Sequence, residues 1–378
     1  MARTRVVVAM SGGVDSSVAA ALLVEQGYEV VGIMLRLWSE ADNGKGPANR
    51  CCALDAQHDA ERVARSLDIP FYLVNMAGEF KRRVVDYFVA EYAAGRTPNP
   101  CVECNRQIRF DLLLHRALTL DAQYLATGHY ARVRRRGDRY QLCRGVDRRK
   151  DQSYVLHVLS QDKLAHALFP VGEHTKAQVR ETARERGLPV AERGESQNLC
   201  FVGDGDYRRF LSKWAPEAIR PGPIRDSAGR VLGQHRGLAL YTIGQRKGLG
   251  ISAPEPLYVL ALEAVDNALI VGTAAELGRD VCLARRINWI AEEPPGQVFA
   301  ATAKIRYKAH DAPVTVTITD NGDAHVQFDR PQRDITPGQT IVFYQDEVVL
   351  GGGTIAWGDQ NRNFQPPSRK LKHDRQAN

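Results

Sequence analysis

The sequence predicts an α/β fold: an N-terminal doubly wound parallel sheet, a small central domain and a C-terminal β-barrel. Three observations carry the prediction. Apolar strand-like runs alternate with helix-forming runs through the first half of the chain, the pattern of a parallel sheet with helices on both faces. A Gly-Gly turn joins the first apolar run to the first helix, an arrangement suited to phosphate. After Gly205 long helices vanish, and Gly, Pro and β-branched residues dominate. The expected divisions are residues 1–205 for the α/β domain, 206–280 for the central β-rich domain, 281–360 for the barrel and 361–378 for a polar, basic tail.

The elements follow in order. Arg5–Met10 is a short apolar run, hence a buried strand. Residues 18–26 read as a helix rich in Ala and Leu and stopped by Gly27. A second strand covers 29–37, a helix 53–67 ends before Pro70, and a third strand covers 71–74. Residues 79–94 and 106–120 read as helices, and Tyr124–Thr127 as a fourth strand ending in Gly128-His129-Tyr130. A helix over 175–186 is closed by Gly187 and Pro189. Residues 222–250 are turn-rich with short strands, and 257–272 reads as a hairpin turning at Asp266-Asn267. Strand alternation recurs over 314–318, 325–328 and 340–344.

Composition narrows the class. The 378 residues, 44% hydrophobic and 25% charged, suit a globular chain able to bury a sizeable core. No apolar run approaches the ~20 residues that span a bilayer. The run Val6-Val7-Val8 is too short for a secretory leader, so a cytoplasmic protein without a membrane partner is expected. The net charge is +7, with Arg and Lys clustered at 132–136, 144–150 and 369–375. Such a surface suits a nucleic-acid partner, although charge alone favours nothing beyond a solvated basic surface. The seven cysteines are too few and too uneven in number for a disulfide scaffold in a chain of this size. Cys143 and Cys282 sit in strand-like runs and are expected to be buried and inert. Cys51 and Cys52 open a helix, and adjacent thiols do not readily chelate one metal or form an unstrained disulfide.

The informative loop is Ser11-Gly12-Gly13-Val14-Asp15-Ser16-Ser17. Gly12 and Gly13 let backbone approach phosphate oxygens, and the serines add hydroxyl donors. Asp15 is not expected to face phosphate bare; it holds Mg²⁺ or caps the helix. A Walker A loop needs a Lys that is absent here, and a dinucleotide fingerprint needs Gly where Ser16 stands. What remains is Ser-Gly-Gly-x-Asp-Ser, which resembles the PP-loop of the ATP-pyrophosphatases, enzymes with an adenine nucleotide alpha hydrolase-like fold that split ATP into AMP and pyrophosphate.

Two further segments carry thiols. In Thr97-Pro98-Asn99-Pro100-Cys101-Val102-Glu103-Cys104-Asn105 the prolines predict a stiff extended loop, with a helix opening at Asn105. That places Cys104 near a helix N-terminus, where thiolate is favoured. Cys200 lies in a polar, Gly-bounded stretch from Gly194 to Gly203, which predicts an accessible thiol.

Together these segments resemble the bacterial tRNA-specific 2-thiouridylases (tRNA-uridine 2-sulfurtransferases). The matching pieces are residues 10–17, 97–105, 127–130, Lys150-Asp151-Gln152-Ser153-Tyr154, 196–203, 241–250 and Arg306-Tyr307, nearly the whole chain. The resemblance implies ATP-dependent thiolation of carbon 2 of the wobble uridine in the tRNA anticodon loop, with AMP and pyrophosphate as products. It implies that ATP binds over Ala9, Met10, Ser11, Gly12, Gly13, Val14, Asp15 and Ser16, with Leu35 and Gly128 near the adenosine. The uracil oxygen would attack the α-phosphate. Cys200 would carry a persulfide received from a sulfur-donor protein, and its terminal sulfur would displace AMP. Cys104 would be the partner nucleophile, through a transient Cys104–Cys200 disulfide. Asn99, Pro100 and Cys101 would lie beside the unstacked target base. His129, Lys150, Asp151, Gln152, Arg306, Tyr307 and Gln339 would contact tRNA, and the protein would act as a monomer. Taken alone, His129 could equally cap a strand end, and Gln339 lies in a Pro-Gly turn.

Some members of that family have Asp where Cys101 stands. Here Cys101, Cys104 and Cys200 make three thiols, so an iron–sulfur cluster is the alternative sulfur carrier to the persulfide. Zinc would also need a fourth ligand, and no second Cys-x-x-Cys or His pair at zinc-finger spacing occurs. Two other functions are weaker. An amidotransferase-type synthetase needs a glutamine-hydrolysing Cys that is not seen at the N-terminus. A non-catalytic RNA-binding protein would not need the intact loop and the two thiols.

Overall fold

The computed structural model describes residues 3–40, 54–194, 199–333 and 335–357. Cys51, Cys52, residues 195–198 of the Cys200 segment and the tail 361–378 lie outside the described residues. Among the described residues no helix is long and apolar enough to cross a membrane.

A parallel sheet of order β3-β2-β1-β4-β7 forms the N-terminal part, with β1 at Arg5–Met10, β2 at Glu29–Arg36, β3 at Phe71–Asn75, β4 at Tyr124–Thr127 and β7 at Ala167–Leu168. The run Val6-Val7-Val8 shows why β1 is central. All three side chains are fully buried, Val7 in a core with Phe110 and Leu125, Val6 and Val8 in the opposite core with Val18 and Val63. Alternating side chains reach opposite faces, so a strand covered on both sides must be apolar throughout. Each such valine contributes about 1.5–3 kcal/mol of burial. The chain turns from β1 through helix α1 (Val14–Glu25) to β2 on one side, while β4 pairs with β1 on the other. A crevice therefore opens beyond the carboxyl ends of β1 and β4.

Two helix starts differ from the sequence expectation. Helix α1 begins at Val14, not residue 18, so Asp15 and Ser16 are helical and Gly13 occupies the N-cap position. Its cap carries no side-chain hydrogen bond, which also removes Asp15 as the capping residue. The Cys104 helix begins at Pro100 rather than residue 106 and runs, with a wide π-helical stretch over Cys104–Leu113, to Leu118. Pro100 is tolerated because the first helical residue needs no N–H donor. Asn99 caps the helix, its Oδ1 accepting from Val102 N at 3.4 Å.

The central sheet has the order β10-β11-β8-β9, with β8 at Gly222–Asp226 and β9 at Val231–His235, and its β10 (Tyr258–Glu263) and β11 (Ala268–Gly272) form the expected hairpin. Asn267 in its turn adopts φ 49°. The C-terminal strands β12 (Arg279–Trp289), β13 (Val298–Lys304), β14 (Ala312–Ile318), β15 (Ala324–Gln332), β16 (Thr340–Gln345) and β17 (Val348–Ala356) close into a barrel through the β12–β17 pairing. Cys143 and Cys282 lie buried in strands, as expected, and burial raises both thiols above their ordinary pKa, Cys282 to about 12.

One hairpin was not anticipated. The strands β5 (Ala131–Arg136) and β6 (Arg139–Arg144) belong to the N-terminal half in sequence, yet β6 pairs with β17 and continues the barrel sheet. The arginines that read as a solvated basic tract hold this junction. Arg132 and Arg144 are buried. Arg132 bonds Glu347 at 2.5 Å, and Arg144 bonds Asp311 at 2.6 Å while its guanidinium covers the Tyr344 ring at 3.5 Å.

Candidate active site

The phosphate loop is built where three elements crowd together. Gly12 has φ 72°, and a Cβ there would lie 2.2 Å from the Ala56 carbonyl oxygen of helix α2 (Leu54–Ser66). Gly128, at the end of β4, presses the start of α1 so closely that a Cβ would lie 2.6 Å from Ser16 N. Within the loop, Ser11 N donates to Ser16 Oγ at 3.2 Å, and the Ser16 and Ser17 hydroxyls donate to Gly13 O at 3.1 and 2.9 Å. Ala9 pairs in register with both Ile33 and Thr127, and Leu35 lies one strand away on β2. Met10 and Val14 are buried beneath the loop. The expected ATP residues thus converge on the carboxyl ends of β1, β2 and β4.

Three residues that sequence reasoning missed complete this corner. The Tyr130 hydroxyl donates to Asp15 Oδ1 at 2.6 Å. Lys176 Nζ reaches both Asp15 oxygens, at 2.7 and 2.8 Å. Arg193 donates to the Gly12 carbonyl at 2.9 Å and pairs with Asp59. Tyr130 lay within a quoted motif, but nothing local in the sequence marks Lys176 or Arg193 as neighbours of the loop. For Mg²⁺ the donor chemistry fits: that ion takes one or two carboxylates together with substrate phosphates, and Asp15 supplies a carboxylate on the first turn of α1.

The second half of the site surrounds Asn99. Gln339 Nε2 donates to the carbonyls of Thr97 and Pro98 at 3.1 and 3.3 Å, and Thr97 N donates to Pro337 O at 2.9 Å. The barrel thereby grips the segment leading to Asn99. The Tyr154 hydroxyl donates to Thr340 O at 2.8 Å. The Tyr154 ring lies 6.4 Å from that of Tyr307, which is partly exposed. Arg306 donates to Ile243 O at 3.3 Å and Thr336 Oγ1 at 2.8 Å, tying the loop before β10 to the segment before β16. Pro100 is buried and Cys101 exposed on the first helical turn.

The expected tRNA-contact residues divide into two groups. Asp151 is buried, accepting from Gly145 N and Ser153 N at 3.1 Å each. Gln152 Oε1 accepts from Tyr130 N at 3.0 Å, and Lys150 is half-buried beside them. His129 is also buried. Its Nε2 faces Arg109 Nη1 at 3.3 Å, and a guanidinium only donates, so Nε2 accepts and Nδ1–H donates to Thr127 Oγ1 at 2.7 Å. Burial, and secondarily Arg109, pushes its pKa down to about 3. In this conformation Asp151, Gln152 and His129 brace the site, whereas Tyr307 and Cys101 present surface. A cleft of about 1680 Å³ between the β5–β6 hairpin and the barrel is lined by Arg139, Arg148, Arg149, Lys304, Lys308 and Tyr307, with carboxylates such as Glu293 and Asp346 among them.

Cys104 and Cys200 border one apolar cluster. Cys104 is buried in a core containing Phe80, Phe88, Phe201 and Phe210, and Cys200, half-buried, packs against the same core. No described cysteine is in a disulfide. Among the described residues no three His, Cys, Asp or Glu side chains converge so as to hold a metal ion.

A Gly-Gly loop at the β1/β4 switch, with its acidic first helical turn, defines a PP-loop protein of the ATP-using kind. Three family models match the chain in succession: a tRNA methyl transferase HUP domain over residues 4–204, a tRNA methyl transferase PRC-barrel domain over 208–273 and an aminomethyltransferase beta-barrel domain over 279–355. A tRNA-specific 2-thiouridylase of Moorella thermoacetica is 53% identical over 351 residues, covering 92% of this chain and 98% of its own. Proteins of the same description from Magnetococcus marinus and Symbiobacterium thermophilum are 51% and 52% identical, covering 93% of this chain each and 98% and 92% of their own. The chain belongs to the tRNA-specific 2-thiouridylase family.

Proposed function

We propose that this protein uses ATP to replace the carbonyl oxygen on carbon 2 of the tRNA wobble uridine with sulfur. The observation that carries the reading is that Cys104, on the helix whose start Asn99 caps, and Cys200, far along the chain, pack against one apolar core. The family models speak of methyl transfer and the relatives of thiolation. The paired thiols favour thiolation, because a sulfur relay needs two nucleophilic sulfurs and methyl transfer does not.

The chemistry runs in three steps. The uracil oxygen attacks the α-phosphorus of ATP held over Ala9–Ser16, and pyrophosphate leaves with the electron pair. The terminal sulfur of a Cys200 persulfide, loaded by a donor protein, attacks carbon 2, and AMP departs with the oxygen. The Cys104 thiolate then attacks the Cys200 sulfur, forming a Cys104–Cys200 disulfide and freeing the thiocarbonyl; an external thiol resets the pair. Asp15 would hold Mg²⁺, which would neutralise charge at the phosphates. No step is routed through a cluster.

The base is held by the Asn99-Pro100-Cys101 turn with Tyr307 beside it, an aromatic face suited to a splayed nucleotide. The cleft accommodates neighbouring phosphates. Arg306, Gln339, Lys150, Asp151, Gln152 and His129 shape these surfaces from behind. The test is incubation with ATP, unmodified tRNA and a persulfide donor, followed by nucleoside analysis. 2-Thiouridine with matching AMP is expected. AMP without 2-thiouridine points to a different PP-loop enzyme, and no AMP at all to an RNA-binding protein without catalysis.

A further inference from the structure

We infer that Arg209 is a positioning residue for sulfur transfer, holding the turn that bears Cys200 against the carboxyl end of β2; this rests on the sulfur chemistry proposed above. Cys200 is the second residue of a tight turn in which Val202 N donates to Leu199 O at 3.1 Å. The two residues after it, Phe201 and Val202, are buried almost completely. The Phe201 ring meets Phe88 and Phe210 edge-on, with centroids 5.2 and 5.5 Å away. Such apolar packing anchors the turn but is non-directional. Direction comes from Asp204, four residues past the thiol. One of its oxygens accepts from Asp206 N at 2.9 Å, and both accept from Arg209. Arg209 lies on the helix Tyr207–Trp214, which Asp206 caps.

The same guanidinium also donates to both oxygens of Glu40, which stands four residues beyond the end of β2. Glu40 is entirely buried. Trp214 Nε1 donates to its Oε1 at 3.3 Å, and the Trp214 ring meets Trp38 edge-on at 5.0 Å. Taking a carboxylate and a guanidinium out of water is costly, and well-packed apolar residues often hold a fold as firmly as a buried ion pair. What the forked pair adds is one fixed geometry: a planar guanidinium can engage two carboxylates at set angles, and an ammonium cannot. One side chain thus joins the strand that bears Leu35, expected beside the adenosine, to the turn that bears the sulfur carrier. The terminal sulfur must meet carbon 2 while the adenylated oxygen is still held, and a misplacement of about 1 Å costs on the order of a hundredfold in rate. Arg209 sets that placement without touching either reactant.

The test separates activation from sulfur transfer in a single turnover of wild type, Arg209→Lys and Asp204→Asn with ATP and unmodified tRNA. Each enzyme is preloaded by a persulfide donor, and persulfide occupancy of Cys200 is matched by mass spectrometry. Arg209→Lys keeps the charge that balances Glu40 but loses the fork. It is expected to release pyrophosphate within about twofold of the wild-type rate and to form 2-thiouridine about a hundredfold more slowly, so that adenylated tRNA accumulates. Asp204→Asn leaves the Glu40–Arg209 pair intact and is expected to slow sulfur transfer about tenfold, again with pyrophosphate release unchanged. Equal slowing of both steps would make Arg209 a support for the fold alone and overturn the proposal, as would unchanged sulfur transfer in Arg209→Lys. If Arg209→Lys does not fold, Asp204→Asn decides, since that side chain is 38% exposed and outside the buried pair; wild-type sulfur transfer in it overturns the proposal. Absence of 2-thiouridine from the wild type would instead count against the sulfur chemistry itself.

Discussion

Gln339 of the barrel donates one amide to two successive carbonyls, Thr97 and Pro98, of the N-terminal half. The contact spans 242 residues in sequence and ends one residue short of Asn99. A residue that reads as part of a turn is therefore a clamp on the segment leading to Asn99.

Gln339→Ala should loosen that segment without touching the phosphate loop. Leaving two partly buried carbonyls unpaired costs about 1–3 kcal/mol. The expected outcome is a rise of about tenfold in the tRNA dissociation constant, with ATP affinity unchanged. Filter binding and nucleotide titration measure the two, and a parallel loss of ATP affinity would contradict the assignment.

The two thiols should fail differently. Cys200→Ser is expected to abolish thiolation while ATP and tRNA still bind, because the sulfur carrier alone is missing. Cys104→Ser is expected to stall with tRNA sulfur-linked to Cys200, visible as a reductant-sensitive band on a denaturing gel. Loss of ATP binding in Cys200→Ser would show that the thiol has been given the wrong role.

Gly12→Ala should disable the loop. The methyl group would collide with the Ala56 carbonyl at 2.2 Å, and φ 72° is itself strained for alanine. A strain of about 1–3 kcal/mol is expected before the clash is counted. ATP affinity should fall more than tenfold with a lower melting temperature; a variant binding ATP normally would mean the loop adjusts freely.

Acid should destabilise the fold through two buried imidazoles. Burial pushes His129 to about 3 and His157 to about 4, both below the ordinary value. In the unfolded chain each protonates near pH ~6.5. Between those limits the unfolded state binds protons that the folded state excludes, so the stabilisation is complete above ~6.5 and is lost as pH falls toward the folded values. His157, whose ring nitrogen donates to Tyr154 O at 2.8 Å, is the cleaner probe because it lies away from the loop. Melting temperature followed from neutral pH downward should fall more shallowly in His157→Gln than in the wild type. Parallel curves would remove His157 from the account.

The legible parts of this protein are the local ones. The strand, the Gly-Gly turn and the helix are contiguous, and β1 announces its burial through three successive valines. The helix starts were misplaced for identifiable reasons. Pro98 and Pro100 read as breakers, yet a proline at the first helical position is compatible with a helix, and Asn99 supplies the cap. The β5–β6 hairpin was hidden by its own charge, because the closest carboxylate partners of Arg132 and Arg144 sit on the distant segments 347 and 311. Lys176 and Arg193 were invisible for the same reason: their partners Asp15 and Asp59 are more than a hundred positions away.

The union of β6 with β17 bears on how the polypeptide can be divided. A fragment ending before β12 would leave β6 with an open strand edge and Arg132 and Arg144 stripped of Glu347 and Asp311. An unprotected edge recruits other chains, and a stranded buried charge unfolds its surroundings. The N-terminal half is thus not a detachable module: truncated expression should give aggregate, and the barrel serves as its solubility partner.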